Sequence, residues 1–188
     1  MHHRHNASPW YRQAIQGILD AAQIPQMYGP TPSGQTSASI MSSGTHGTVI
    51  VMVATTIGRR VVDMQPAPRL ADDLARWTAA RNQVAAVLEQ AGCATPRPTR
   101  MGLVVTAPEE LGVLADVRLA PVDRGRYTAT IDGHPELVAT IDGRLEVPTS
   151  RGYVLESGGG YLIFDTPEAA AEEFAFDCGF GPQITVTT

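Results

Sequence analysis

Thr48-Val49-Ile50-Val51-Met52-Val53-Ala54-Thr55-Thr56-Ile57 is an uninterrupted run without Gly, Pro or charge, and eight of its ten residues are β-branched. Side chains that are stiff at χ1 lose little in a pleated, extended chain, so the run reads as a strand. Gly44-Thr45-His46-Gly47 immediately before it supplies a turn, and Ser39-Ile40-Met41 before that supplies an incoming strand. The three pieces make a hairpin. Gly58-Arg59-Arg60 then turns the chain into Val61-Val62-Asp63-Met64, a third strand.

Helical patterns flank this hairpin. Ser8-Pro9 offers a hydroxyl N-cap and a Pro at the first helical position, followed by Tyr11, Ile15, Ile18 and Ala22 at helical spacing, and Pro25 ends the segment. Pro30 to Ser39 has loop composition. Arg69 to Ala91 carries Leu70, Leu74, Trp77, Val84 and Leu88 on one face, with Gly92 placed for a C-terminal cap, so it reads as the longest helix. Cys93 to Arg100, with Pro96 and Pro98, reads as a linker, giving a first lobe over residues 1–98.

Residues 99–188 read as a second, β-rich lobe. Leu103-Val104-Val105-Thr106 is a strand pattern, Pro108 to Ala115 a short helix or turn, and Arg118 to Val122 an extended piece. Ala129-Thr130-Ile131-Asp132-Gly133 returns ten positions later as Ala139-Thr140-Ile141-Asp142-Gly143, and each Asp-Gly signals a turn in a β-meander. Tyr153-Val154-Leu155 and Tyr161-Leu162-Ile163-Phe164 flank Gly158-Gly159-Gly160 as a hairpin, and Thr166-Pro167-Glu168 opens a helix with an N-cap, a Pro at N1 and an acid facing the helix dipole. Ile184-Thr185-Val186 adds a final strand. The expected fold class is α+β, with small antiparallel sheets each packed against one or two helices.

Composition removes several chemistries. All fourteen basic residues are Arg, so a phosphate loop, a kinase strand lysine and a Schiff-base lysine are excluded. The triple glycine runs from strand to strand instead of strand to helix, and no G-x-S-x-G elbow exists. No run is long enough for a membrane span, and the start, with His2, His3 and His5, lacks an apolar leader core, so the expected location is cytoplasmic. Cys93 and Cys178, far apart and without paired spacing, read as buried or idle thiols.

Three constellations were candidates for chemistry. Asp132, His134, Glu136 and Asp142 combine carboxylates with an imidazole but lack the ligand order of a known cation loop, and read as a solvated turn. His46 beside Ser42 and Ser43 reads as polar turn chemistry. His46, Cys93, His134 and Cys178 lack the short paired spacing of structural zinc. The expectation is therefore no catalytic residue, no metal and no cofactor.

Charge is sorted along the chain. Residues 1–98 hold eight Arg against five carboxylates, and residues 99–188 hold six against fourteen, within a total of −5. The main functional expectation is a cytoplasmic, non-enzymatic binding or regulatory protein acting through protein–protein contacts, with Glu168, Glu172 and Glu173 meeting a basic partner. An alternative is a nucleic-acid-binding module using Arg59, Arg60, Arg76 and Arg81. The order helix, three strands, helix in the first lobe is similar to the topology of a double-stranded RNA-binding domain, which implies contacts to phosphates and 2′-OH groups. Asp72-Asp73 stand where such a domain carries bases. A third reading is an enzyme whose acids and histidines are gathered only by folding.

Overall fold

The structure is a computed structural model that describes residues 9–27, 32–64, 71–123, 125–147, 150–157 and 160–188, with backbone only for 144–147, 150, 151, 156, 157, 160 and 161. Ser8, the terminal histidines, Pro30, Arg69, Leu70, Gly158, Gly159 and the Glu156 side chain lie outside the described residues. The fold is α+β, with three helices and two largely antiparallel sheets.

The described elements run α1 (Trp10–Ala21), β1 (Thr36–Ser42), β2 (Thr48–Ile57), β3 (Arg60–Val62), α2 (Ala71–Gln90), β4 (Arg97–Pro98), β5 (Gly102–Thr106), a 3₁₀ turn (Glu109–Leu111), β6 (Ala115–Asp123), β7 (Arg126–Ile131), β8 (His134–Val147), β9 (Ser150–Ser157), β10 (Gly160–Phe164), α3 (Pro167–Asp177) and β11 (Ile184–Thr187). Contacts divide the chain into two units, Tyr11–Leu111, and Gly112–Thr188 together with Met1–Trp10.

In the first unit β2 is the central strand. β1 pairs along one side of it, from Thr36↔Thr55 to Ser42↔Val49, and β5 and β3 share the other. β5 covers Thr48 to Met52 and β3 covers Thr55 to Ile57, which leaves Val53 and Ala54 opposite a gap. The Val53 N–H reaches the Met101 carbonyl at 3.1 Å, and the Val53 carbonyl accepts from Trp77 Nε1 of α2 at 2.9 Å. The buried tryptophan thus closes the break in the ladder, where an unpaired backbone group would cost free energy. Asp73, Trp77, Ala80, Val84 and Leu88 form the buried stripe of α2. The helix ends as expected: Gly92 lies at φ +89 and Cys93 N–H bonds the Leu88 carbonyl.

The stretch expected as a linker, Cys93 to Arg100, contributes a short strand to the first sheet. Arg97 and Pro98 pair with Val104 and Leu103, and β5 runs beside β2. The close packing of Gly102 on β2 explains the residue choice, because a Cβ there would stand 2.0 Å from the Val51 carbonyl oxygen. The unit therefore continues to Leu111. Prolines signal breaks only where a strand needs their N–H, and Pro98 sits on an edge strand where none is needed. β1 likewise begins at Thr36, inside the stretch expected to be loop.

The second unit holds a six-stranded sheet in the order β10-β9-β8-β7-β6-β11, an antiparallel meander with β11 added parallel to β6. Val117, Leu119, Ala129, Ile131, Ile141 and Leu155 form its core with Ala170, Ala171, Phe174 and Ala175 of α3. Thr166 caps α3 by accepting from Ala169 N–H at 3.1 Å, with Pro167 in its first turn. The two similar segments pair with each other, Ala129 opposite Ala139 and Thr128 opposite Thr140. Asp132-Gly133 makes the expected turn, with Gly133 at φ +80. Asp142-Gly143 does not: both lie inside β8, where Arg126 of β7 holds Asp142 at 2.7 Å and Gly143 pairs with Tyr153. A strand partner that satisfies the Asp overrides the local turn preference.

Candidate functional site

The residues singled out by sequence fall in separate places. Glu168 and Glu173 are half-buried on α3 and Glu172 is exposed. Glu168 stands in the first turn of the helix, and only Asp165 and Thr166 separate that helix from β10. β10 is the last strand of its sheet, and among the described residues nothing pairs along its outer side. Its neighbouring residues Leu162 and Ile163 are 41% and 53% exposed, one on each face. The strand carries no charge and no Pro, the usual means of blunting an edge. From Ser150 to the C-terminus six carboxylates stand against the single Arg151.

The four arginines of the alternative reading do not converge on one surface task. Arg60 forms an ion pair with the buried Asp73 in the first turn of α2. Arg81 lies over the Trp77 ring, 5.3 Å from its centroid. Arg59 is exposed in the β2–β3 turn, and Arg76 is exposed on α2. The resemblance to a double-stranded RNA-binding domain stops at element order, because after α2 the chain returns as β4 and β5 to extend the sheet.

Arg76 borders a cleft of about 310 Å³ between α2 and the adjoining ends of β1 and β2. Arg76, Ala79, Ala80 and Gln83 line its helical side at i, i+3, i+4 and i+7, and Thr36, Thr55, Thr56 and Ile57 stand on its sheet side. Thr36 donates its hydroxyl to Gln83 Oε1 at 2.7 Å, tying strand to helix across one end. Thr56 Oγ1 is buried and among the described residues has no hydrogen-bond partner. The helical spacing of Arg76 and Gln83 around Ala79 and Ala80 is present in the sequence, but nothing local marks it as the wall of a cleft. The contribution of the threonines was hidden, since only the register Thr36↔Thr55 brings them together.

The other constellations are occupied with structure. Asp132 lies 3.7 Å from Arg118, His134 Nδ1 lies 3.5 Å from Glu136, and the His134 ring meets Phe180 edge-on at 5.1 Å. Asp142 raises the pKa of the Arg126 guanidinium, first by its hydrogen bond and then by its charge, with Asp123 adding to it. Among the described residues no group of His, Cys, Asp and Glu is arranged to hold a metal ion. The Ser43 hydroxyl donates to the Thr48 carbonyl at 2.7 Å and accepts from Thr45 N–H, while His46 stacks edge-on with Tyr11 at 5.5 Å. Burial pushes the Cys93 thiol up to about 11, partly offset by a backbone hydrogen bond. Burial, then the charge of Asp177, pushes Cys178 up to about 12. Such thiols are poor nucleophiles at neutral pH.

Among the described residues no helix is long and apolar enough to cross a membrane. Comparison with known proteins finds no matching family model, no matching curated protein and no matching solved structure.

Proposed function

We propose that this is a cytoplasmic, non-enzymatic binding protein that acts by receiving an extended, basic and apolar segment of another protein along β10. The observation that carries the reading is the edge itself: a strand that among the described residues is paired on one side only, with two adjacent exposed aliphatic residues and no protective charge. Strand addition at such an edge draws affinity from main-chain hydrogen bonds and selectivity from alternate side chains. Asp165, Glu168 and Glu172 follow the strand directly in sequence, so a cationic segment is favoured over an anionic one. The arginine-based nucleic-acid reading has weaker support, because Arg60 and Arg81 are engaged by Asp73 and Trp77.

A peptide of alternating valine and lysine tests this against one of alternating valine and glutamate. The lysine peptide is expected to bind the full chain, to weaken as salt rises, and to be lost in Ile163→Lys. Replacing Glu168 and Glu172 with Gln should leave the fold intact and flatten the salt dependence. Equal binding of both peptides, or undiminished binding to Ile163→Lys, would overturn the reading.

A further inference from the structure

We infer that the cleft between α2 and the ends of β1 and β2 is a second binding site, for a small organic carboxylate with a short apolar body. Its size lies at the low end of the roughly 300–1,000 Å³ typical of small-molecule sites. Its chemistry is split in the way such sites require. Ala79, Ala80 and Ile57 provide apolar walls, and Arg76 provides a permanently charged, forked donor that matches a carboxylate with two parallel hydrogen bonds. Among the described residues Arg76 has no ion-pair partner, as is true of several other arginines, whereas Arg60 and Arg118 each have one and Arg126 has two.

The remaining groups give orientation. Because Thr36 donates to Gln83 Oε1, the amide nitrogen of Gln83 lies on the other side of the carboxamide from that hydroxyl and keeps its donors for a ligand. The charge count selects the ligand class. A single guanidinium balances a monoanion, and among the described residues Arg76 is the one basic side chain that lines the cleft. This site is independent of β10, and either can fail without the other.

The test is an amide-resonance titration of the full chain with pentanoate, benzoate, their neutral amides and inorganic phosphate. Both carboxylates should shift the amides of Thr36, Thr55, Ile57 and Gln83 saturably, and the neutral amides should bind at least about tenfold more weakly, a difference of about 1.4 kcal/mol. Arg76→Gln should erase the preference for acid over amide, and Ala79→Leu, at an exposed position, should block the cleft against all of them. No saturable shift with either carboxylate, equal binding of acid and amide, an unchanged preference in Arg76→Gln, or tighter binding of phosphate than of carboxylate would overturn the inference. The acid-to-amide ratio on the unaltered chain decides the matter even if a variant fails to fold.

Discussion

The two units solve the same problem, a helix over a sheet, with opposite placements of polarity. Every buried polar or charged residue identified, Thr36, Ser37, Thr55, Thr56 and Asp73, belongs to the first unit. Among the described residues the second unit buries mainly apolar side chains, and Leu162 and Ile163 of its edge strand are among the large hydrophobics it exposes. In the first unit α2 is pinned by one large aromatic with a hydrogen bond into a broken ladder, whereas α3 lies close to its sheet on three buried alanines and Phe174. Three of the buried polar residues of the first unit, Thr36, Thr55 and Thr56, line its cleft, and two of the exposed aliphatic residues of the second, Leu162 and Ile163, lie on its edge strand.

The largest effect is expected where the first unit depends on a single side chain. Trp77→Ala should lower stability by about 3–5 kcal/mol, the usual cost of emptying a buried aromatic site. Trp77→Phe should retain most of the packing yet lose about 1–3 kcal/mol, because the Val53 carbonyl is left unpaired. Denaturant unfolding measures both, and a Trp77→Phe protein as stable as the original would remove the hydrogen bond from the account. On the other side, Ala171→Leu adds bulk where α3 meets its sheet and should cost about 1–3 kcal/mol. A neutral result there would mean that α3 is not held close by its alanines.

The next test has the opposite sign. Thr56→Val keeps the shape and removes a buried hydroxyl without a partner, so it should raise stability by about 1 kcal/mol. A loss of stability would place a hydrogen bond on that hydroxyl and weaken the contrast between the units.

Much of the architecture was legible because it rested on local chemistry. The β-branched run at 48–57, the glycine after α2 and the Thr166-Pro167 start of α3 each act within a few residues, and all three appear in the structure. What was hidden depended on partners distant in sequence. Pro96 and Pro98 read as a linker because nothing local shows that β5 will pair with β2, and Asp142-Gly143 read as a turn because Arg126 lies sixteen residues away. Moving the boundary to Leu111 also changes the charge argument. The first unit then holds eight arginines against seven carboxylates, and the second holds six against twelve, so the acidity of the second survives while the basicity of the first nearly vanishes. The acids of α3 were visible in sequence, but the open edge beside them was not, since only the strand order leaves β10 last.

A further effect is a dependence on alkaline pH. Cys93 and Cys178 titrate at about 11 and about 12 when folded, against 9.0 for the free thiol. The unfolded chain therefore releases these protons first, and the stabilisation they give is complete below pH 9.0 and is lost as pH rises through the folded values. Stability measured from pH 8 upward should fall in that window, and replacing both thiols with Ala should make the decline shallower. An unchanged slope would show that the thiols are not buried as described.

Hydrogen exchange at the β10 amides, followed with and without the valine–lysine peptide, tests the central claim most directly. Exchange of the outward-facing N–H groups between Gly160 and Phe164 should slow on binding, because an added strand takes their hydrogen bonds, while amides of the first unit stay as they were. Binding that leaves the β10 amides exchanging at their original rates would contradict the account.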